Sequence, residues 1–141
     1  MDQTQIEITL QARPKGFHII TNEILAALNI SNYDIGIAHI HIKHTSASLA
    51  INESADPTVR ADFKSFFDKI IPENEPYFQH TMEGPDDMPA HIKSSVIGTS
   101  VTIPITDGAL NLGTWQGIYL CEHRDHGGVR KIVITTQGTR R

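Results

Sequence analysis

Cysteine is almost absent from this sequence, since Cys121 is the only one among 141 residues. A single cysteine excludes an internal disulfide framework and is typical of a reducing compartment, so we expect a cytoplasmic protein. Positive charge is also scarce: 12 lysines and arginines are outnumbered by 16 aspartates and glutamates, which gives a formal net charge of −4. This balance lacks the basic surface of nucleic-acid-binding domains, and we expect no nucleic-acid partner.

Long apolar stretches are missing as well. No run approaches the roughly 18 apolar residues of a membrane-spanning helix. The first residues, Met1–Thr4, show neither the basic nor the apolar region of a signal peptide. We therefore predict no membrane association. The length corresponds to one domain, residues 1–141, which is large enough to bury a core without disulfides or metals.

Short segments with alternating apolar residues predict strands. In the first of them Ile6, Ile8 and Leu10 share one face, which is typical of a half-buried strand. The other predicted strands cover residues 16–20, 35–43, 101–105, 116–124 and 129–136. They are joined by turns such as Asp107-Gly108, a strong hairpin signal.

Three segments predict helices. A short helix follows Thr21, and a long one begins at Asp56-Pro57, because aspartate accepts from free N–H groups and proline suits the first helical position. Its apolar stripe places Phe63 and Phe67 in the core. Residues 87–97 form a third helix. The sequence thus predicts an α+β fold, a mainly antiparallel β-sandwich or barrel with two or three helices in a single domain.

Eight histidines form an unusually large share of the chain, and one of them opens a dense polar segment at residues 44–53. If this segment is extended, side chains alternate between its faces. One face is then mainly polar and carries His44, Ser46, Ser48 and Asn52. It predicts one wall of a polar pocket, and the alternative is an ordinary exposed strand face.

A second polar cluster lies in and after the long loop 72–89, with His80, Glu83, Asp86, Asp87 and His91. Imidazole and carboxylate groups are the ligands of zinc and other divalent metals. No strict motif such as HExxH is present, so His44, His80 and His91 can meet only through the fold. Three histidines would leave one coordination position open for water, as catalytic zinc sites require. The alternative is a solvated acidic loop.

A third candidate region runs from Leu112 to Ile118, where flanking glycines allow close approach of the backbone. If the strand continues, Gln116, Glu122 and Arg124 share a face. Arg124 and Arg130, across the predicted hairpin, could offer forked donors to a phosphate or carboxylate. The alternative is that both arginines are ordinary surface residues.

Several longer motifs occur in one order along nearly the whole chain: HTSASLAINE at 44–53, Asp56-Pro57, Tyr77-x-x-His80, EGPDDMPAHIK at 83–93 and LGTWQ at 112–116. In these residues the sequence resembles the YjbQ-like family, which is described as secondary thiamine-phosphate synthase. The resemblance implies a small α+β domain, built on a β-sandwich or barrel, that assembles as a homotrimer with a polar site near the subunit boundary.

The resemblance and the polar patterns together assign roles to specific residues. Catalytic roles are expected for His44, Glu53, His80 and His91. Binding of a small anionic or phosphorylated substrate is expected from Ser46, Ser48, Asn52, Gln116, Arg124 and Arg130. A divalent metal, zinc, is expected on His44, His80 and His91. Supporting hydrogen bonds to these histidines are expected from Glu53, Asp86 and Asp87.

The implied transferase reaction joins a hydroxymethylpyrimidine diphosphate to a thiazole phosphate and releases pyrophosphate. Its diphosphate leaving group must be neutralised by a divalent cation, by arginines or by backbone N–H groups. The scarcity of lysine and arginine favours a metal, or a weak side activity. Two alternatives share the same motifs: a non-catalytic trimeric metabolite-binding protein, and a metal-dependent hydrolase of another bond.

Overall fold

Alternating apolar residues build two antiparallel sheets in the computed structural model, which describes the whole chain from Met1 to Arg141. The strands are β1 (Asp2–Leu10), β2 (Gly16–Ile19), β3 (Tyr33–Ile42), β4 (Ala47–Glu53), β5 (Ser100–Thr106), β6 (Ala109–Leu110), β7 (Gln116–Glu122) and β8 (Arg130–Arg140). The helices are α1 (Thr21–Ala27), α2 (Pro57–Ile70) and α3 (Asp87–Ile97).

The larger sheet has the order β1-β8-β3-β5-β6 and the smaller one the order β2-β7-β4. In the register of the larger sheet, Ile8 lies opposite Ile132 and Ile40 lies opposite Ile134. Ile40, Ile132 and Ile134 form one buried cluster with Leu49, Leu120 and other apolar residues, and the partly buried Ile8 packs against it. The core therefore lies between the two sheets, where burial of apolar surface stabilises the fold.

The predicted α+β class is confirmed, with three helices and only antiparallel strand pairs in one domain. Most strand ends differ from the prediction by one to four residues, and two of these differences concern the candidate site. Strand β7 ends at Glu122 and β8 begins at Arg130, so Arg124 lies in the connection between them. None of the helices is long and apolar enough to cross a membrane.

Helix α2 begins as predicted but packs differently. The Asp56 side chain accepts a hydrogen bond from the Thr58 N–H at 2.9 Å, as expected of an N-terminal cap. The predicted burial of Phe63 and Phe67 in the core is wrong, because both are only half-buried and no α2 residue is fully buried. Their rings lie 5.5 and 5.8 Å from the ring of Phe17. Helix α2 therefore covers the outer face of the smaller sheet.

This position predicts a moderate cost for removing the Phe63 ring. We expect Phe63→Ala to lower the free energy of unfolding by about 1–3 kcal/mol, because part of the ring is already in water. Phe66→Ala is the matched control, since that side chain is 56% exposed, and it should cost less than about 0.5 kcal/mol. Urea denaturation of the two variants measures both. Equal losses would contradict this packing.

Candidate functional site

Three side chains converge where the loop after α2 meets the start of α3. The ligand atoms of His80, Asp87 and His91 all lie within 4.8 Å of one another. Asp87 and His91 are one turn apart on α3, so they share a helix face. His80 Nε2 is 2.8 Å and His91 Nε2 is 3.0 Å from the same oxygen, Asp87 Oδ2. Two imidazoles therefore face a single carboxylate oxygen.

The hydrogen bond made by His91 Nδ1 determines which tautomer the neutral His91 ring adopts. His91 Nδ1 lies 2.9 Å from the carbonyl oxygen of Thr45. A carbonyl only accepts, so Nδ1 carries the hydrogen and donates. In the neutral ring, Nε2 then carries a lone pair, which faces the lone pairs of Asp87 Oδ2. Two facing lone pairs repel unless a proton or a cation lies between them.

Asp87 is held in place from its other side by Arg124. Arg124 Nη1 is 2.8 Å from Asp87 Oδ1, while its Nε donates to Asp86 Oδ2 at 2.9 Å. Burial by itself would raise the pKa of Asp87, which is 1% exposed. Contacts with His80, His91 and Arg124 outweigh burial, so the pKa of Asp87 lies below its ordinary value. Asp87 is therefore an anion at neutral pH, with Oδ2 turned toward the imidazoles.

This donor set fits a divalent cation. Asp86 and Asp87 carry two negative charges against one positive charge on Arg124, so with neutral imidazoles the group has a net charge of −1. Ligand atoms around a tetrahedral zinc lie about 3.4 Å apart, given metal–ligand bonds of about 2.0–2.1 Å. The two imidazole–carboxylate separations, 2.8 and 3.0 Å, are hydrogen-bond distances, so these ligand atoms would have to move apart by about 0.4–0.6 Å around a zinc ion. Three protein ligands would leave a further position open, as in catalytic zinc sites.

His44 does not belong to this cluster. Its Nε2 accepts a hydrogen bond from the Lys131 N–H at 2.8 Å. Burial, followed by the nearby charge of Arg130, lowers the pKa of His44. The expectation that His44, His80 and His91 converge is therefore not met within a single chain. Asp87, expected only as a supporting group, takes the third place among the candidate ligands.

Ser46 and Arg130 belong to a buried network rather than to an open anion site. Arg130 lies 2.8 and 2.5 Å from the two carboxylate oxygens of Glu122 and 3.0 Å from Ser46 Oγ. Arg130 is 4% and Glu122 1% exposed. The expectation that Arg130 and Ser46 bind an anion is not met by this geometry, because their polar atoms are already engaged and shielded from solvent.

Ser48 is also enclosed, with its hydroxyl 2.8 Å from Nε2 of the buried His123. The Ser48 end of the face predicted as a pocket wall is covered by α3, whereas Ala50 and Asn52 of the same face line a cavity of about 150 Å³ together with Phe63 and Phe67 of α2. At the covered end, Ser94 of α3 donates to the Ala47 carbonyl at 2.8 Å. The pocket predicted from alternation is therefore absent at Ser48, because α3 occupies its place.

Arg124 is fully engaged as well, since its Nη2 donates to the Glu83 carbonyl at 2.9 Å in addition to the two aspartate contacts. The side-chain hydrogen bond with Asp86 outweighs the effect of burial and raises the pKa of Arg124. We expected this guanidinium to bind an anion. In the structure it fixes the orientation of Asp87 instead.

Asn52, Glu53 and Gln116 lie at the opposite end of β4 and β7 from the cluster. Glu53 pairs with Gln116 in the register, whereas Ala47 pairs with Glu122 near the cluster end. Seven strand residues span about 20 Å. Each side chain accepts from a nearby backbone N–H: Glu53 from Asp56 and Gln116 from Gly113, for instance. These residues shape local turns, and the expected catalytic role of Glu53 has no support from this placement.

The buried pair of Ser48 and His123 was not predicted as a unit, since the sequence separates these residues by 75 positions. Burial lowers the pKa of His123 from 6.5 to about 3. Between these two pH values, His123 therefore stays neutral in the folded protein but is protonated in the unfolded chain. The contribution of His123 to stability is fully present above pH 6.5 and is lost as the pH falls toward 3.

This linkage predicts a pH-dependent stability. Between pH 6.5 and about 3, the free energy of unfolding should fall with a His123 contribution of at most about 1.4 kcal/mol per pH unit. His123→Gln should flatten this part of the curve, whatever its effect on stability at pH 7. Denaturant unfolding at a series of pH values gives both slopes. Identical slopes for the two proteins would refute the assignment.

One cavity adjoins the cluster, and we call it the His80 cavity. It has a volume of about 230 Å³ and is lined by His80, by other residues of the segment 74–85 and by Met88 of α3. Two larger grooves, of about 600 and 440 Å³, lie along α1 and include no residue of the cluster. Of the three candidate ligands, His80 lines this cavity, and Asp87 and His91 do not.

Comparison with known proteins relates the whole chain to one group. A family model described as "UPF0047 protein YjbQ-like" matches residues 5–139. The UPF0047 protein YjbQ of Salmonella typhimurium is 54% identical over 135 residues, which cover 95% of this chain and 97% of that protein. The UPF0047 protein sll1880 of Synechocystis is 40% identical over 136 residues, covering 96% and 92%.

Solved structures agree. An uncharacterized conserved protein of the yjbq/upf0047 family from Clostridium acetobutylicum has a TM-score of 0.81 and 39% sequence identity, covering 92% of this chain and 97% of that one. A YbjQ-like protein of unknown function from Sulfolobus solfataricus has a TM-score of 0.86 at 21% identity, which shows the shared fold. With a matching family model and close relatives over nearly its full length, the chain belongs to the UPF0047 YjbQ-like family.

Proposed function

We propose that this protein is a metal-dependent enzyme that acts on a small phosphorylated metabolite, with His80, Asp87 and His91 holding a divalent cation, zinc. The observation that carries the proposal is the pair of contacts made by His91. Its Nδ1 is fixed as a donor to Thr45, and its Nε2 is aimed at the oxygen that His80 also faces. A bound cation satisfies these converging lone pairs.

Each protein group in this arrangement has a defined task. The Thr45 carbonyl fixes the tautomer and orientation of His91, as hydrogen bonds to metal-binding histidines generally do. Arg124 orients the carboxylate of Asp87. When bound, the cation supplies the positive charge that stabilises a phosphate or diphosphate leaving group. Arg124 and Arg130 do not supply that charge, because acidic side chains already engage both.

The reaction that we assign to this site is of the thiamine-phosphate synthase type, in which a hydroxymethylpyrimidine diphosphate and a thiazole phosphate are joined. A cation at the cluster suits the departure of pyrophosphate. The donor set also favours a second candidate. Two imidazoles and one carboxylate form the ligand set of several hydrolytic zinc enzymes, which activate water at the open position. Hydrolysis of a phosphorylated metabolite is therefore the alternative reaction.

Assembly as a homotrimer and a cytoplasmic location belong to the same proposal. The outer face of the larger sheet leaves Ile35 and Ile37 67% and 38% exposed, and exposed apolar surface of this kind is typical of contacts between subunits. Light scattering should give a mass three times that of the chain. A monomer at micromolar concentration would refute the trimer.

The reaction is tested with chelated and metal-reloaded protein. Protein freed of metal should lose activity in the joining assay and regain it with one equivalent of zinc per chain. Product formation is followed as thiamine phosphate when both substrates are supplied, and as free phosphate or pyrophosphate when the thiazole phosphate is omitted. Release without the thiazole would support the hydrolase. Activity that survives complete removal of metal would overturn the metal-dependent assignment.

A further inference from the structure

The cavity between α2 and the outer face of the smaller sheet is surrounded by aromatic rings, and we call it the aromatic cavity. Its volume is about 150 Å³. No charged residue lines it, and it shares no residue with the candidate metal ligands. The lining consists of four rings, those of Phe17, Phe63, Phe67 and Tyr119, and of Ala50, Asn52 and Ile97.

The small side chain of Ala50 leaves this space open. Ala50 lies opposite Tyr119 in the register of β4 and β7, and the ring of Phe63 packs 6.2 Å from that of Tyr119 on the same face. Phe63 and Phe67 remain only half-buried beside the cavity, so the protein itself covers the apolar stripe of α2 incompletely. A molecule in the cavity would remove this apolar surface from water, which is favourable in proportion to its area.

The size and the chemistry of the lining together define a class of ligand. An apolar cavity of about 150 Å³ in another protein stays free of water and binds benzene. Aromatic side chains pack favourably against a further ring in offset or edge-to-face contacts. An ion would lose its hydration here without gaining a charged partner. The lining therefore favours a neutral molecule about as large as one benzene ring and disfavours an ionised or phosphorylated one.

Asn52 adds one hydrogen-bond donor to this apolar lining. Its Oδ1 lies 2.7 Å from the Glu53 N–H and accepts from it, which fixes the orientation of the amide, because an N–H group needs an acceptor. The Nδ2 group of Asn52 makes no hydrogen bond within the protein. Asn52 is exposed, so this donor lies at the mouth of the aromatic cavity, where it can meet a substituent of a bound ring.

We propose that the aromatic cavity binds a neutral carbocyclic aromatic molecule of one ring, with a hydrogen-bond acceptor such as a carbonyl that faces Asn52. The ring lies between Tyr119 and the Phe63 and Phe67 side chains, in the space beside Ala50. This site is separate from the metal centre and goes beyond the proposed function, since none of its residues takes part in metal binding.

The test is an NMR titration of the full chain, free of metal, with acetophenone, benzene and benzoate as probes. Acetophenone should bind with a dissociation constant of about 1 mM or tighter. Benzene lacks the acceptor and should bind about threefold more weakly or less well still. Benzoate is an anion at neutral pH and should bind at least about tenfold more weakly than acetophenone. Asn52→Ala should bring the affinities for acetophenone and benzene close together.

A variant that fills the cavity tests its position. Ala50→Leu should weaken acetophenone binding by more than about tenfold, because the longer side chain occupies the space of the ring. Ala61→Leu is the matched control, since Ala61 is exposed on α2 and does not line the cavity, and its affinity should equal that of the wild type. If Ala50→Leu does not fold, nuclear Overhauser effects between acetophenone and the rings of Phe63 and Tyr119 in the wild type locate the probe instead.

Three results would overturn the proposal: equal affinities of Ala50→Leu and Ala61→Leu for acetophenone, Overhauser effects only to the grooves along α1, or benzoate binding as tight as that of acetophenone. Acetophenone binding that is lost in Ala50→Leu and kept in Ala61→Leu would support it. Because the titration is made without metal, its outcome is independent of the zinc-binding measurements.

Discussion

His91→Ala is expected to weaken zinc binding by more than about 100-fold and to abolish metal-dependent activity with it. Loss of a supporting hydrogen bond already costs about 10–100-fold in metal affinity, and His91 supplies one of three candidate ligand atoms. The variant should fold, since the His91 side chain is already 30% exposed. Zinc titration by calorimetry and elemental analysis measure the effect.

His126→Ala is the matched control for this prediction. His126 is exposed, makes no side-chain hydrogen bond and lies outside the cluster, so its loss should leave zinc affinity unchanged. Equal zinc content in His91→Ala and the wild type would remove the cluster as a metal site.

Arg130→Ala is expected to lower the free energy of unfolding by about 3–5 kcal/mol, the cost of leaving one partner of a buried ion pair alone. Glu122 would then keep a carboxylate in an environment where it is only 1% exposed. A whole domain is stabilised by only about 5–15 kcal/mol. This single change therefore removes a large share of the total. Chemical denaturation followed by circular dichroism provides the measurement.

Two further variants test whether the loss of stability in Arg130→Ala comes from the unpaired buried charge of Glu122. Arg13→Ala removes a partly exposed pair with Glu23 at 3.2 Å, which should cost less than about 1 kcal/mol. The double variant Glu122→Gln with Arg130→Met removes both buried charges and should recover part of the loss. If Arg130→Ala costs no more than Arg13→Ala, the buried pair does not stabilise the fold in this way.

Local sequence patterns predict much of the fold. The alternation of Ile6, Ile8 and Leu10 predicted β1, and Asp56-Pro57 predicted the start of α2, because periodicity and capping depend on neighbouring residues. The α+β class followed from the order of such elements. The depth of burial did not follow from local patterns. The apolar stripe of α2 would be the same in a helix that enters a core and in one that lies on a sheet. The structure places α2 on the outer face of the smaller sheet.

The candidate site likewise depends partly on local sequence and partly on tertiary packing. The grouping of His80, Asp86, Asp87 and His91 in and after one loop is a local property of the sequence, and their ligand chemistry predicted a metal site there. The choice of partners was decided by tertiary packing. His44 lies one residue from Thr45, which contacts His91, yet its own ring contacts Lys131, 87 positions away.

The sequence by itself determined which residue types are available and which local elements carry them: a histidine- and carboxylate-containing loop leading into α3, few basic residues, and one buried cysteine. Only the tertiary structure decided which of these groups remain free. Arg130 resembles an anion-binding arginine in the sequence, but folding encloses it between Glu122 and Ser46, the latter 84 positions away. An ionised group that is buried must be paired, and its partner comes from whichever strand or loop the fold brings beside it.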